Sequence, residues 1–241
     1  MSVPKPISAS HVGKIHWNFY GKNGGVSKGK FTSLNIAEHV GDDLADVEQN
    51  RELISDTLDI PLVFINATHS ANVVQVLSEV PKVHENTDAL VTRETGLGIV
   101  VMSADCAPII LADPIAHVVG VVHAGWQGML AGVVNSAVEA MLELGAETQN
   151  MTATIGPSVC AKNFEVTQER FDKVLNLIPS AAIKLNNGNL AVDITKGIKK
   201  QLASFQIKTL DLGICTFENS DVFSYRRDKE TGRNATVAWI S

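Results

Sequence analysis

Residues 103–128 constrain the fold of this chain more than any other stretch. Two apolar runs are separated here by an Asp-Pro pair, which predicts two short strands joined by a turn. The second run, residues 118–122, reads Val-Val-Gly-Val-Val and indicates a strand buried on both faces. Cys106 and His123 stand at the outer ends of the two strands, so the predicted scaffold presents two reactive side chains outside its core.

The spacing of apolar residues predicts helices and further strands on both sides of this stretch. Helices are expected near residues 129–144, 168–178 and 195–205, and another begins near residues 42–43. Strands outnumber helices, and several links between strands are too short for a crossover helix. We therefore predict an α/β (mixed α+β) fold in one domain spanning residues 1–241, with a mixed β-sheet core flanked by helices.

Charge and cysteine content narrow the function classes. The formal net charge of −6 argues against general nucleic-acid binding, which needs clustered basic residues. No secretory signal and no long uncharged apolar segment is evident, so no membrane association is expected. Three dispersed cysteines are typical of free thiols in a reducing compartment. These features predict a cytoplasmic protein that does not bind nucleic acid.

Three residues of metal-ligand type follow predicted strands: His69, Cys106 and His123. One thiolate and two imidazoles form a known catalytic zinc set, which leaves a fourth position for water or substrate. Because the three residues are far apart in sequence, their spacing alone leaves other functions open.

Three alternatives use some of the same residues. Cys106 could be a nucleophile activated by His123, which Asp105 or another carboxylate would orient, as in a cysteine hydrolase or transferase. With Met102 as an axial partner, two histidines and a cysteine match the composition of a blue-copper site, although no His-x-His pair supports copper oxidation. A binding module with a structural zinc would need a fourth protein ligand, from Cys160 or Cys215.

A series of short motifs in fixed order resembles the YfiH or DUF152 family, also called polyphenol oxidase or laccase domain proteins. The match runs from about Gly24 to Ile240, and so many ordered motifs are highly specific. The motifs are Gly24-Gly25-Val26-Ser27, Ser33-Leu34-Asn35, Val40-Gly41-Asp42-Asp43, Asn50-Arg51, His69-Ser70, Ala104-Asp105-Cys106, His123-Ala124-Gly125-Trp126, Gly156-Pro157-Ser158 and Ser224-Tyr225-Arg226-Arg227-Asp228.

The resemblance implies a cysteine-hydrolase-like α/β fold with one zinc, held here by His69, Cys106 and His123. It also implies phosphorolysis of adenosine, inosine and methylthioadenosine, together with deamination of adenosine. In some bacterial members it implies peptidoglycan editing. For deamination, zinc would lower the pKa of bound water to about 7, and Asp105 would orient a ligand or carry a proton.

Phosphorolysis additionally needs an anion site. The residues predicted to bind substrate or phosphate are Asn35, Arg51, Tyr225, Arg226 and Arg227. Two positions depart from the family pattern, because this chain has Ala67 where a glutamine is usual and Gln127 where an arginine is usual. If that arginine holds phosphate, its absence weakens the phosphorylase assignment but affects deamination less.

Overall fold

The computed structural model describes residues 3–77 and 82–241. The strands and helices of these residues, numbered in chain order, are β1 (Pro6–Val12), β2 (Ile15–Tyr20), α1 (Leu44–Leu58), β3 (Leu62–Asn66), β4 (Val73–Val76), β5 (Val83–Glu85), β6 (Ala89–Thr92), β7 (Gly98–Ser103), β8 (Ala107–Asp113), β9 (Val118–Ala124), α2 (Trp126–Ala131), α3 (Val133–Glu143), β10 (Thr152–Ile155), α4 (Gln168–Leu177), β11 (Ala182–Lys184), β12 (Leu190–Val192), α5 (Ile194–Ser204), β13 (Lys208–Asp211), α6 (Tyr225–Asp228) and β14 (Asn234–Ile240).

Two six-stranded sheets form the centre of the fold. Their strand orders are β1-β2-β14-β7-β3-β5 and β13-β10-β8-β9-β6-β4. Both are mixed, since β3 pairs parallel to β7 while β14 pairs antiparallel to it, and β10 pairs parallel to β13 but antiparallel to β8. The predicted mixed α/β architecture is confirmed, whereas its relation to cysteine hydrolases stays a prediction.

The inner strands β8 and β9 of the second sheet are buried on both faces, and β8 illustrates why. Ile109 and Leu111 pack into a core shared with α3 and α5. Ile110 and Ala112, on the opposite face, pack into a core between the two sheets. Because successive side chains of a strand point to opposite faces, a continuous apolar run fills both cores. The predicted two-sided burial of residues 118–122 in β9 is confirmed in the same way.

The helix after β9 differs from its prediction. It begins at Trp126, three residues earlier than expected, and Gly132 divides it into α2 and α3. Gly132 has φ +85°, a left-handed conformation that ends α2 and that glycine adopts without steric cost. The apolar periodicity continues through both helices, so it could not reveal the break.

The segment of residues 223–228, which contains α6, begins with two buried residues. Phe223 and Ser224 are 2% and 0% exposed. Phe223 is fixed by Asn234, which receives its backbone N–H and donates to its carbonyl. None of the helices in the described ranges is long and apolar enough to cross a membrane.

Candidate metal centre and its cavity

His69, Cys106 and His123 meet at one edge of the second sheet. β8 begins just after Cys106, and the antiparallel register pairs Pro108 with His123 near the end of β9. The ligand-type atoms of the three side chains all lie within 4.8 Å of one another. Cys106 Sγ and His69 Nε2 are 3.7 Å apart, close to the separation of roughly 3.5 Å expected for sulfur and nitrogen ligands of one tetrahedral zinc.

Asp88, immediately before β6, holds the two histidines in place. Its carboxylate is fully buried and accepts backbone N–H groups from Thr68, His69 and Ser70 at 3.2, 3.0 and 2.8 Å. The Ser70 hydroxyl and Nδ1 of His123 donate to the same carboxylate at 2.8 and 3.0 Å. Burial alone would raise the pKa of Asp88, but the hydrogen bonds from His123 and Ser70 hold it well below its ordinary value.

Asp88 also determines which nitrogen of His123 is available to a metal. Since Nδ1 donates to Asp88, Nε2 remains as the ligand atom, and such carboxylate–histidine pairs are usual around protein-bound metals. Without a metal, burial would lower the pKa of His123, but the Cys106 thiolate and Asp88 raise it to about 9. Burial would raise the pKa of Cys106, but His123 and His69 lower it to about 6.

The residues present fit a catalytic metal site. The donor set is one thiolate and two imidazoles, and within the described residues this cluster of potential ligands has no fourth member. The turn after β9 supplies the necessary room, because a Cβ on Gly125 would stand 2.7 Å from Cδ2 of His69 and 2.9 Å from Sγ of Cys106. This geometry leaves one coordination position open to water or substrate.

Replacing Gly125 with alanine is therefore expected to lower metal affinity about 10-fold or more. This effect is comparable to that of removing a residue that hydrogen-bonds to a metal ligand. Metal titration of the purified variant measures it. Gly128→Ala, in the first turn of α2, is the matched control, because its added Cβ would meet nothing closer than the Ser70 carbonyl oxygen at 3.3 Å. Equal metal affinity of Gly125→Ala and the wild type would contradict this account.

The thiol of Cys106 should titrate near pH 6 in the metal-free protein. In a variant with Cys160→Ser and Cys215→Ser, where Cys106 is the only thiol, alkylation should slow as the pH falls through about 6, because the reactive thiolate becomes protonated. Removing the imidazole with His123→Ala should move the midpoint toward higher pH. The lowered pKa of Cys106 also stabilises the metal-free fold. This contribution to the free energy of unfolding is complete above pH 9 and is lost as the pH falls through about 6.

A midpoint near that of an ordinary thiol, or one unmoved by His123→Ala, would contradict the proposed pairing of Cys106 with His123.

Hydrogen bonds from three residues hold the carboxylate of Asp105 in place. Its backbone adopts φ +96°, and its carboxylate accepts the hydroxyls of Thr216 and Ser224 at 2.6 and 2.7 Å. The backbone N–H of Arg226 donates to the other oxygen. With its oxygens occupied in this way, Asp105 joins the segment before Cys106 to the start of α6.

A cavity of about 440 Å³ opens over the three ligand-type residues. Apolar and aromatic side chains form much of its wall, including Ile65, Met102, Trp126, Val159, Phe164 and Tyr225. Arg170 stacks on the ring of Trp126 at 4.6 Å and Arg226 on that of Phe164 at 4.9 Å, which fixes two aromatic rings at the wall.

The cavity is positively charged although the whole chain is acidic. Of the residues that the structure describes, Arg170, Arg226, Lys229 and Arg233 line it, against Asp105 as the single carboxylate. Arg233 is half-buried, and its Nη1 donates to the carbonyls of Thr231 and Gly232 at 2.9 and 3.1 Å. Among the described residues, no acceptor is found for its Nε or Nη2. A half-buried cation with free donors favours an anionic ligand.

Of the residues predicted to bind substrate or phosphate, Tyr225 and Arg226 line this cavity and three others do not. The Arg51 guanidinium donates to the carbonyl of Ile36 and pairs with Glu38. Asn35 is fully buried, and its amide donates to Asp42.

Arg227 is occupied by the protein itself. It donates to the carbonyls of Thr216, Asn219 and Val222 at 2.8, 3.0 and 2.8 Å and pairs with Asp228. The structure therefore does not bring Arg227 together with Arg226 at one anion site.

Several lining residues went unrecognised in the sequence. Arg233, six residues after Arg227, lines the cavity, and so does His39, although neither was predicted to bind a ligand. A signal did exist for Asp88, because it is a single acid at the start of an apolar run. Of the two departures from the family pattern, Ala67 lines the cavity, whereas Gln127 is exposed and outside the lining.

The chain belongs to the family described as multi-copper polyphenol oxidoreductase laccase, which matches residues 16–241. This family includes proteins named YfiH, and an Escherichia coli YfiH named as a purine nucleoside phosphorylase is 33% identical over 98% of this chain and 95% of its own. A Streptomyces griseus protein, also named purine nucleoside phosphorylase, is 40% identical over 97% of both chains.

Solved structures resemble this fold closely. A Neisseria meningitidis protein of DUF152 superposes with a TM-score of 0.89 at 30% identity, over 98% of this chain and all of the other. YlmD from Geobacillus stearothermophilus gives 0.87 at 25% identity, over 100% and 99%. These likenesses confirm the family resemblance, while the identity of the metal stays a prediction.

Proposed function

We propose that this protein is a zinc-dependent enzyme that processes purine nucleosides. It phosphorolyses adenosine, inosine or methylthioadenosine and deaminates adenosine. The observation that carries the proposal is the position of His69, Cys106 and His123 in a cavity with aromatic walls and an unpaired guanidinium, that of Arg233. The names of the relatives support the same substrate class.

The aromatic wall suits a purine. Trp126 and Phe164 offer ring faces fixed by stacked arginines, and such surfaces bind flat heterocycles. Tyr225 is 54% exposed at the rim, where its ring can cover a bound base or sugar. A volume of about 440 Å³ falls in the usual range for small-molecule sites.

Arg233 would hold the phosphate for phosphorolysis. A phosphate oxygen forms a bond to the anomeric carbon while the bond from that carbon to the purine nitrogen breaks, and the electron pair leaves with the purine. The protein contributes mainly by positioning phosphate and stabilising charge. The free donors of Arg233, with Lys229 and Arg226 nearby on the same wall, supply that positive charge.

His69, Cys106 and His123 would hold the metal, which when bound supplies Lewis acidity and activates water for deamination. Water adds to the C6 carbon of adenosine and ammonia leaves, so phosphate is not needed. Asp88 keeps Nδ1 of His123 protonated and aims Nε2 at the metal. One thiolate, two imidazoles and an open position favour zinc over copper.

Incubating metal-analysed protein with adenosine, inosine and methylthioadenosine, with and without phosphate, tests the proposal by product identity. Free base and a sugar phosphate should form only with phosphate, and adenosine should also give inosine. No conversion of any nucleoside by fully metal-loaded protein would overturn it.

Replacing Arg233 with glutamine should lower kcat/KM for phosphate about 100-fold, as expected for loss of a charged hydrogen-bonding partner. Deamination should change little, because it uses no phosphate. Arg51→Gln is the matched control, since it removes a guanidinium outside this cavity. If both reactions fell equally, Arg233 would not be the phosphate site.

A second candidate function rests on the contacts of His123. His123 lies between Cys106 and Asp88, the arrangement of a cysteine hydrolase in which the thiolate attacks a carbonyl. Its substrate would be an amide or ester, such as a peptidoglycan precursor. Such an enzyme would stay active after chelation and be inactivated by alkylation of Cys106, whereas the zinc enzyme loses activity on chelation.

A further inference from the structure

A second pair of thiols lies outside the metal centre. Cys160 and Cys215 are 55 residues apart in sequence, are both half-buried and have their Sγ atoms 2.6 Å apart. Neither lines the cavity over His69, Cys106 and His123. Neither the proposed activity nor the family match gives these cysteines a role.

Backbone hydrogen bonds already align the two segments that carry these cysteines. The N–H of Ser158 donates to the carbonyl of Ile214 at 3.1 Å, and the N–H of Thr216 returns to the carbonyl of Ser158 at 3.0 Å. This parallel bridge between Ser158 and Cys215 places Cys160 two residues further along. The two segments that carry the sulfurs are therefore held side by side before any bond forms between Cys160 and Cys215.

The surroundings of the two sulfurs differ. Cys215 Sγ accepts the backbone N–H of Cys160 at 3.2 Å, which favours a thiolate there. The Asn163 amide lies 3.2 Å from Cys160 Sγ and 3.6 Å from Cys215 Sγ, so it serves both sulfurs. Cys160 Sγ instead lies 3.8 Å from the Glu218 carboxylate, which disfavours a second negative charge. Burial would raise the pKa of Cys215, but the hydrogen bonds from Cys160 and Asn163 lower it below its ordinary value.

A metal ion bound by Cys160, Cys215 and Glu218 is the alternative to a disulfide, since the ligand-type atoms of these three side chains lie within 4.8 Å of one another. Two thiolates on one tetrahedral zinc stand roughly 3.7 Å apart. The sulfurs here are more than 1 Å closer than that. Glu218 is in addition bound to Lys162 and Asn163, both at 2.7 Å. The geometry therefore favours bond formation between the sulfurs over shared coordination.

We propose that Cys160 and Cys215 are a thiol modification site that closes to a reversible disulfide when the protein meets a peroxide. The Cys215 thiolate attacks one oxygen of hydrogen peroxide, the O–O bond breaks, and a sulfenic acid forms while the leaving hydroxide takes up the proton that the thiol had released and becomes water. The Cys160 thiol attacks that sulfur, forming the S–S bond and releasing a second water. The two thiols lose two electrons, the peroxide gains them, and a dithiol reductant reverses the reaction.

The site adjoins the metal centre without belonging to it. Thr216, next to Cys215, donates to Asp105 at 2.6 Å, and the N–H of Val159, next to Cys160, donates to the Asp105 carbonyl at 3.0 Å. A bond between Cys160 and Cys215 would therefore crosslink two segments that hold the residue preceding Cys106.

The test treats reduced, metal-loaded, full-length protein with hydrogen peroxide and follows intact mass and peptide maps. We expect loss of two hydrogen masses, a crosslinked peptide pair containing Cys160 and Cys215, and reversal by dithiothreitol. Cys106→Ser should form the same crosslink. Cys160→Ser should stop at a sulfenic acid on Cys215 that dimedone captures, and Cys215→Ser should slow oxidation of Cys160 roughly 10-fold or more.

Three outcomes would overturn the proposal. In the first, wild-type Cys160 and Cys215 remain reduced under conditions that oxidise Cys106. In the second, the crosslink joins Cys106 to either residue. In the third, purified protein carries a second metal equivalent that the double Cys160→Ser, Cys215→Ser variant lacks. The first and second measurements use the wild-type protein alone, so they remain decisive if a variant misfolds.

Discussion

Replacing Cys106 with alanine is expected to release the metal and to lower the rates of both proposed nucleoside reactions more than about 100-fold. The effect should exceed that of removing a residue that only hydrogen-bonds to a metal ligand. The thiolate is one of only three ligand-type groups in the cluster. Metal analysis of the purified variant and product assays on the same sample measure the effect. His69→Ala should behave alike, because His69 belongs to the same ligand set.

The comparison of these two variants separates the zinc enzyme from the cysteine hydrolase. As a nucleophile, Cys106 would be essential while His69 would be dispensable, and chelation would leave activity intact. Cys160→Ser serves as a matched control, because it removes a thiol that does not line the cavity. A Cys106→Ala protein that keeps its metal but loses activity would contradict the metal-ligand role.

Replacing Asp88 with asparagine is expected to lower metal affinity about 10- to 100-fold and the free energy of unfolding by about 2–4 kcal/mol. Both carboxylate oxygens accept N–H groups, Oδ1 from His69 and His123 and Oδ2 from Thr68 and Ser70. An amide nitrogen at either position would face donors. Metal titration and denaturant unfolding measure the two effects.

A second buried aspartate supplies the control for Asp88. Asp113 is also fully buried and accepts backbone N–H groups from Ile115, Ala116 and Glu147 at 2.8–3.0 Å. It lies at the far end of β8 from Cys106. Asp113→Asn should therefore destabilise the fold while leaving metal affinity unchanged. Equal losses of metal affinity in both variants would mean that Asp88 acts only through global stability.

The sequence predicts the centre of the fold because burial there follows local patterns. Residues 118–122 are β-branched and apolar throughout, and only a strand between two cores accommodates such a run. His69, Cys106 and His123 were recognisable as ligand types beside strands. Their convergence depends on pairing between β6, β8 and β9, which no local spacing encodes.

The proposed anion site was harder to predict from sequence for the same reason. Arg226 and Arg227 are adjacent, yet one faces the cavity and the other is bound by three backbone carbonyls. Adjacent residues at the start of a helix point in different directions, so a basic pair does not make one site. The donors of Arg233 remain free because of the path that the backbone takes between α6 and β14. The amino-acid composition of that segment does not predict this path.

The hydrogen bonds of Asp88 also determine how the loss of conformational entropy at the metal site is divided between folding and metal binding. In small zinc modules the ion organises its own ligands, so chelation unfolds the protein. Here the segment bearing His69 and the ring of His123 are both tied to a carboxylate at the start of β6. Most of the loss of conformational entropy therefore occurs during folding, before any ion arrives. The metal-free protein should remain folded with its amides at residues 68–70 protected from hydrogen exchange, and nearly all of the ion's binding free energy is retained as affinity.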